Sequence, residues 1–213
     1  MLILQPTNEF IVSRKQHFTE ICCFCGRLTK SVGRGVVMSE NQRIRLTKTL
    51  LKNALIRLLK EQNIYSISIR ELCESAEINR STFYKYYGSQ FDLLTEMEND
   101  LIGIVTDSIS KYPSEPELSF YDTCKCIEDN NELFRILFNN NVDPMFPEKI
   151  FALPCIQDTI SQYIGESSSE AEREYKFHFL AYGMYQVIKV WINKDKRESP
   201  QEIVDLILRK MLA

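Results

Sequence analysis

The 213-residue chain is short of structure breakers, with seven glycines, seven prolines and no low-complexity tract. Alternating Val/Ile/Thr runs are also scarce, which disfavours a turn-dense β architecture and leaves helix as the expected class. No stretch of 18 uncharged apolar residues occurs, so no membrane span is expected. The N-terminus has no apolar core followed by a small-residue cleavage site, and the expected compartment is the cytoplasm. The seven cysteines are odd in number and irregularly spaced, which suits free thiols under reducing conditions. His17, Cys22, Cys23 and Cys25 lack the paired spacing of a zinc site, so no metal is expected. With two histidines, no nucleophile elbow, no phosphate loop, no zincin motif and no dinucleotide fingerprint, neither an enzyme nor a bound cofactor is expected.

What is present is an uneven distribution of charge. Residues 1–38 hold five Lys/Arg and two Glu; residues 39–90 hold nine Lys/Arg and five Glu. Residues 91–213 hold twelve Lys/Arg against twenty-two Asp/Glu, and the whole chain carries a net −3. A basic N-terminal half beside an acidic C-terminal half fits a nucleic-acid-binding module joined to a part that avoids it.

Residues 1–38 show neither a 3.6- nor a 2-residue period, and the segment 31–37 is Gly- and Val-rich. They are read as a disordered extension, with Met38 as the expected natural start. A helical period begins after it: Leu46, Leu50, Ala54, Leu55, Leu58 and Leu59 recur at three- and four-residue steps across 42–61. Ser68 then opens a second helix to Ala76, with Glu71 at capping-box spacing. Ile78 and Asn79 form a turn, and a third helix covers about 80–86. A fourth runs from Phe91 to about Ser110, N-capped by Ser89. Lys111–Pro116 is a linker with two prolines, and further helices are expected at about 118–128, 131–139, 148–164, 170–194 and 200–211. The expectation is an all-α chain of about nine helices. Residues 39–90 form a three-helix helix-turn-helix domain, and 91–213 a helical regulatory and dimerisation domain.

The third helix is too polar for a core. Arg80, Ser81, Thr82, Tyr84 and Lys85 lie on or beside its exposed side, while Phe83 and Tyr87 read as anchors beneath it. Arginine pairs bidentately with guanine, threonine meets a thymine methyl, and tyrosine reaches bases or phosphates. Two short helices at a tight turn, the second of this composition, make a helix-turn-helix candidate whose partner is double-stranded DNA. Ser68 and Ser89 stand at helix N-termini that can hold phosphates, and Asn79 caps the third helix.

Residues 42–102 resemble the DNA-binding domain of the tetracycline-repressor (TetR/AcrR) family of bacterial regulators. The resemblance rests on Ser68-Ile69-Arg70-Glu71-Leu72, on Thr82-Phe83-Tyr84-Lys85-Tyr86-Tyr87 and on Gly88-Ser89-Gln90-Phe91-Asp92-Leu93-Leu94, in that order. The stretch Gly183–Leu212 is similar to one C-terminal subtype of that family. The resemblance implies a dimeric, ligand-responsive repressor with a palindromic operator, and it marks Tyr86 as a phosphate contact. The alternative is a coactivator of this fold acting through protein contacts; the basic Arg80/Lys85 helix argues against it. The chain departs from the family pattern at Gln90, where the family often has Lys, and at Cys73 and Glu77, where it often has Gly or Ala.

In the C-terminal part, Phe134, Phe138, Phe151, Tyr163, Tyr182 and Tyr185 are the candidates for an effector pocket between helices. The helix over 170–194 carries apolar or aromatic residues on nearly every side, so it must be buried on more than one. A partner copy of the chain is the expected cover, through Gly183, Val187, Val190 and Trp191, with Ile203 and Ile207 of the last helix completing a four-helix interface.

Overall fold

The computed structural model describes residues 39–139, 142–195 and 197–211. The extension read over 1–38, with His17, Cys22, Cys23 and Cys25, lies outside the described residues. Among these there are ten α-helices and no strand.

Helix α1 (Glu40–Leu59) carries the apolar period read in the sequence. The chain divides within it, after Thr49, into two units. The described part of the first is the opening of α1, where the Arg43 amide reaches back to the Ser39 carbonyl.

The second unit begins with the rest of α1, whose Leu51, Ala54 and Leu55 have no exposed surface. A 3₁₀ turn (Ile64–Ser66) capped by the Asn63 side chain leads to α2 (Ile69–Ala76) and α3 (Arg80–Phe83). Helix α3 is shorter than the expected 80–86: after Phe83 the chain continues in turns, the Lys85 amide bonding Thr82 and the Tyr86 amide bonding Phe83. Helix α4 (Gln90–Ser110) opens with a full capping box between Ser89 and Asp92. It buries Leu93, Leu94, Met97, Leu101 and Val105.

The C-terminal helices are α5 (Pro116–Asp129), α6 (Asn131–Asn139), α7 (Phe146–Phe151), α8 (Pro154–Ser161), α9 (Glu170–Ile192) and α10 (Pro200–Asp205), the last widening into a π-helical turn (Leu206–Met211). One helix was expected over 148–164. The chain instead makes two, because Pro154 cannot continue α7 and becomes an early residue of α8. Helix α4 packs along α5, α5 against α10, and α9 against α6 and α8.

Candidate nucleic-acid interface and the helices behind it

Helix α2 ends in a residue with left-handed backbone: Glu77 has φ 56° and ψ 37°. Its amide and that of Ile78 bond back to Cys73, closing the end of α2 as a Schellman-type turn. The chain thereby turns within three residues into α3. The Asn79 carbonyl accepts from the Thr82 and Phe83 amides, but its side chain makes no capping bond. Asn79 therefore starts α3 by backbone geometry and leaves its amide group exposed.

Phe83 fixes how this short helix sits. It is fully buried, with its ring 5.6 Å from those of both Tyr84 and Tyr87. Tyr87 is buried as well, and its hydroxyl donates to Glu96 Oε2 at 3.0 Å. Both aromatic anchors expected beneath the helix are there. On the outside, Ser68, Asn79, Arg80, Ser81, Tyr84 and Lys85 are exposed, and Thr82, Tyr86 and Ser89 are half-buried. The nine candidates thus lie along one continuous stretch of chain and at the two helix starts that flank it.

The two serine caps differ from each other. Ser68 Oγ accepts from the Glu71 amide at 3.2 Å, but Glu71 does not return the bond; it accepts from Gln62 Nε2 at 2.6 Å. The expected reciprocal box is half made. At Ser89 the box is complete, and Asp92 Oδ2 takes both the Gly88 amide (2.8 Å) and the Ser89 amide (3.1 Å). Those two N–H groups are therefore occupied by a carboxylate, and an anion approaching the start of α4 meets the serine hydroxyl and later amides first.

Helix α4 is held to α1 by charge. Lys52 Nζ lies 2.7 Å from Glu96 Oε1 and 2.5 Å from Asp100 Oδ2. Farther round the same helix, Glu98 is buried: its Oε2 receives Lys149 Nζ of α7 at 2.7 Å, and Lys149 also meets Asp143 at 2.5 Å. Glu98 Oε1 is buried with no hydrogen-bond partner among the described residues. Burial raises the Glu98 carboxyl above its usual range, with Lys149 pulling the other way. The sequence signal for this group is an acid inside the apolar stripe, four residues after Leu94 and three before Leu101.

Behind α4 lies a cavity of about 130 Å³, bounded by α4, α5, α6, α7, α8 and α9. Phe134, Phe138, Phe151 and Tyr185 of the six pocket candidates line it. Tyr163 and Tyr182 do not. Tyr182 is exposed, packs its ring edge-on against Phe151 at 5.0 Å, and donates its hydroxyl to Glu148 at 2.7 Å. Tyr163 is half-buried outside the lining.

Helix α9 separates into two faces. Ala181, Ile188, Trp191 and Ile192 are buried within the chain. Tyr175, Phe179, Tyr182, Gly183, Gln186 and Val190 are exposed at helical spacing on the other side. Of the six interface candidates, Gly183 and Val190 lie on this open face, and Val187 is half-buried beside it. Trp191, Ile203 and Ile207 are not surface at all. Trp191 donates to the Glu198 carbonyl at 2.7 Å under the guanidinium of Arg197, and Ile203 and Ile207 are buried along α10 and the turn that follows it. The sequence pattern places them on an apolar face without saying whose core that face belongs to.

The chain matches two family models: "Bacterial regulatory proteins, tetR family" over residues 51–97 and "Transcriptional regulator C-terminal region" over 114–212. It belongs to the TetR family of transcriptional regulators. Among curated proteins it is 26% identical over 161 residues to YxbF, an uncharacterized HTH-type transcriptional regulator of Bacillus subtilis (strain 168), covering 72% of this chain and 41% of that protein. It is also 26% identical over 94 residues to DhaS, the HTH-type dhaKLM operon transcriptional activator of Lactococcus lactis subsp. lactis (strain IL1403), covering 44% of this chain and 49% of that protein. The chain therefore spans less than half the length of each. Its fold is similar to that of a TetR transcriptional regulator from Streptococcus agalactiae 2603V, with TM-score 0.59 and 21% identity, covering 81% of this chain and 97% of that one. It is also similar to the solved structure of the dihydroxyacetone kinase operon activator DhaS, with TM-score 0.51 and 18% identity, covering 78% of this chain and 93% of that one. No described helix is long and apolar enough to cross a membrane, and no described group of His, Cys, Asp and Glu is placed to hold a metal ion.

Proposed function

We propose that this TetR-family chain is a cytoplasmic homodimer that binds an inverted-repeat operator sequence-specifically and represses by covering promoter DNA. In this reading α3 enters the major groove, Arg80, Ser81, Thr82, Tyr84 and Lys85 meet base edges, and Ser68, Asn79, Tyr86 and Ser89 meet the backbone. The observation that carries it is Phe83: a fully buried ring that anchors the short helix α3 and the turn after it, leaving Arg80, Ser81, Tyr84 and Lys85 exposed. The domains divide as module 39–90 and regulatory part 91–213, joined without a break by α4. The dimer forms through the open face of α9, with Tyr175, Phe179, Gly183 and Val190 across a two-fold axis. The cavity behind α4 receives the effector.

Similarity to DhaS favours a second reading, transcriptional activation, with or without an operator of the chain's own. Selection of bound fragments from random DNA with purified protein separates the two. Repression through an operator requires an enriched palindrome. Arg80→Ala is then expected to weaken discrimination at one position per half-site by about 1–3 kcal/mol. No enrichment at moderate salt, with equal affinity for all fragments, removes the sequence-specific reading. Phe179→Arg is expected to give a monomer in sedimentation; a monomeric unmodified protein at micromolar concentration removes the dimer.

A further inference from the structure

We infer that the effector of this regulator is a small, uncharged, mostly apolar molecule built on a single ring, with at most one hydrogen-bonding group, which meets the Tyr185 hydroxyl. The inference rests on the proposal that the cavity behind α4 is the effector site, and it follows from what lines that cavity. Among the described residues no Asp, Glu, Lys, Arg or His lines it. A carboxylate or ammonium placed there would lose its hydration without an opposite charge, and such a loss is too large for a site of this size to offset.

The hydroxyls on the wall are already used as donors. Ser119 Oγ donates to the Ile109 carbonyl at 3.3 Å, Thr123 Oγ1 to the Ser119 carbonyl at 2.9 Å, and Thr159 Oγ1 to the Cys155 carbonyl at 2.7 Å. Tyr185 is different. Its ring is held between Phe138 (4.7 Å) and Phe151 (6.1 Å), and its hydroxyl makes no hydrogen bond among the described residues. Burial first, then the nearby Glu148 carboxylate and Tyr182, push that hydroxyl up to about 12, so it remains a donor at neutral pH. Size gives the last constraint. An apolar cavity of roughly 150 Å³ takes a benzene ring, and this one holds about 130 Å³. Five rings on its wall, Phe120, Phe134, Phe138, Phe151 and Tyr185, favour an aromatic guest in edge-to-face contact.

The test uses the full chain and three single-ring probes: toluene, p-cresol and benzoate, measured by titration calorimetry and by thermal shift. Toluene and p-cresol are expected to bind saturably, with p-cresol about five- to tenfold tighter, the effect of one hydrogen bond. Benzoate, of similar size but charged, is expected not to bind. Tyr185→Phe should remove the advantage of p-cresol and leave toluene unchanged. Ala181→Leu should fill the cavity and abolish binding of both; this variant counts only if its unliganded melting temperature matches the parent, and the probe ranking on the unmodified protein stands without it. Absence of binding by both neutral probes, or benzoate binding as tightly as p-cresol, overturns the ligand class. The parent reading fails separately: if the neutral probes bind but leave the affinity for a selected DNA fragment unchanged, the cavity is not an effector site even though its ligand class is as stated.

Discussion

The helix-turn-helix segment and the helices that follow α4 bury their apolar residues in different ways. The first packs aliphatic side chains around two rings: Leu51, Ala54, Leu55, Ile64, Leu72 and Phe83 have no exposed surface, and Tyr87 is buried beside Phe83. Its 3₁₀ turn, α2 and the start of α4 carry side-chain caps at Asn63, Ser68 and Ser89, while α3 has none. The second packs rings against rings around a cavity, Phe138 lying within 6.0 Å of both Phe146 and Tyr185. Its middle helices α5, α7 and α8 carry a proline in their first two positions and have no side-chain cap. Close packing of branched side chains fixes one arrangement, whereas rings round an unfilled space can repack at smaller cost. A reading surface needs the first property and an effector site the second.

Removing one ring from each region should give the largest effect. Phe83→Ala leaves a void in a full core and is expected to cost about 3–5 kcal/mol in urea unfolding, with loss of DNA binding. Phe138→Ala enlarges a space that already exists and can collapse into it, so its loss should fall at or below the lower end of that range. Equal losses would erase the contrast between the two cores.

The Glu98–Lys149 contact lies where the two regions meet along α4, and breaking it should rank next. Lys149→Met leaves a buried carboxylate facing only Asp143 across the gap. Breaking a fully buried pair costs about 3–5 kcal/mol, but the lysine side chain is 43% exposed, so about 1–2 kcal/mol is expected once solvent screening is allowed for. The sign with pH is definite. Burial holds the folded-state Glu98 carboxyl above its unfolded range, so the protonated form is the one favoured in the fold. As pH falls from 7, Glu98 takes up a proton and the deficit of the variant should shrink. Thermal melts of both proteins across pH 4–7 check it; a deficit that grows on acidification would show that the partner lost is not Glu98.

The two regions were also unequally legible in the sequence. Caps and turns are local, and Ser68, Ser89 and the α2–α3 turn could be read from a few neighbouring residues. The anchors Phe83 and Tyr87 followed from period and polarity. Beyond α4, the break at Pro154 was hidden because apolar residues continue on both sides of it. Whether Trp191, Ile203 and Ile207 face a partner or their own chain is a question of tertiary packing, on which a period of 3.6 is silent. Tyr163 and Tyr182 were aromatic in the right region but on the wrong side of their neighbours. The Glu98–Lys149 pair spans 51 residues, and no local pattern announces such a contact.

Within the helix-turn-helix segment, one position departs from that local economy. Glu77 holds a left-handed conformation (φ 56°) that glycine adopts without a Cβ penalty. Glu77→Gly is expected to stabilise the chain by up to about 1 kcal/mol, the penalty being partly offset by the greater freedom of glycine in the unfolded state. A loss of stability in chemical denaturation would mean that the Glu77 side chain makes contacts that outweigh the strain.

The smallest effect sharpens the comparison from the other side, because the C-terminal region does cap its longest helix. In the first turn of α9, Glu172 Oε2 accepts from the Ser168 amide at 2.7 Å and from the Ser168 hydroxyl at 2.5 Å, while Oε1 lies 2.8 Å from Lys176. Lys176 first, then the two Ser168 bonds, hold the carboxyl down to about 2. A depressed folded-state value means stability that is present above the usual carboxylate range near 4.3 and lost as pH falls toward 2. Glu172→Gln keeps the shape but not the charge, so the variant should melt slightly below the parent at pH 6, and the two curves should converge as the pH approaches 2. The group is at the surface and screened, so added salt should narrow the gap at pH 6 as well. If the gap persists unchanged at low pH, the benefit lies in the geometry of the Ser168 bonds and not in the carboxylate charge, and the start of α9 is then held by the same neutral capping that serves α2.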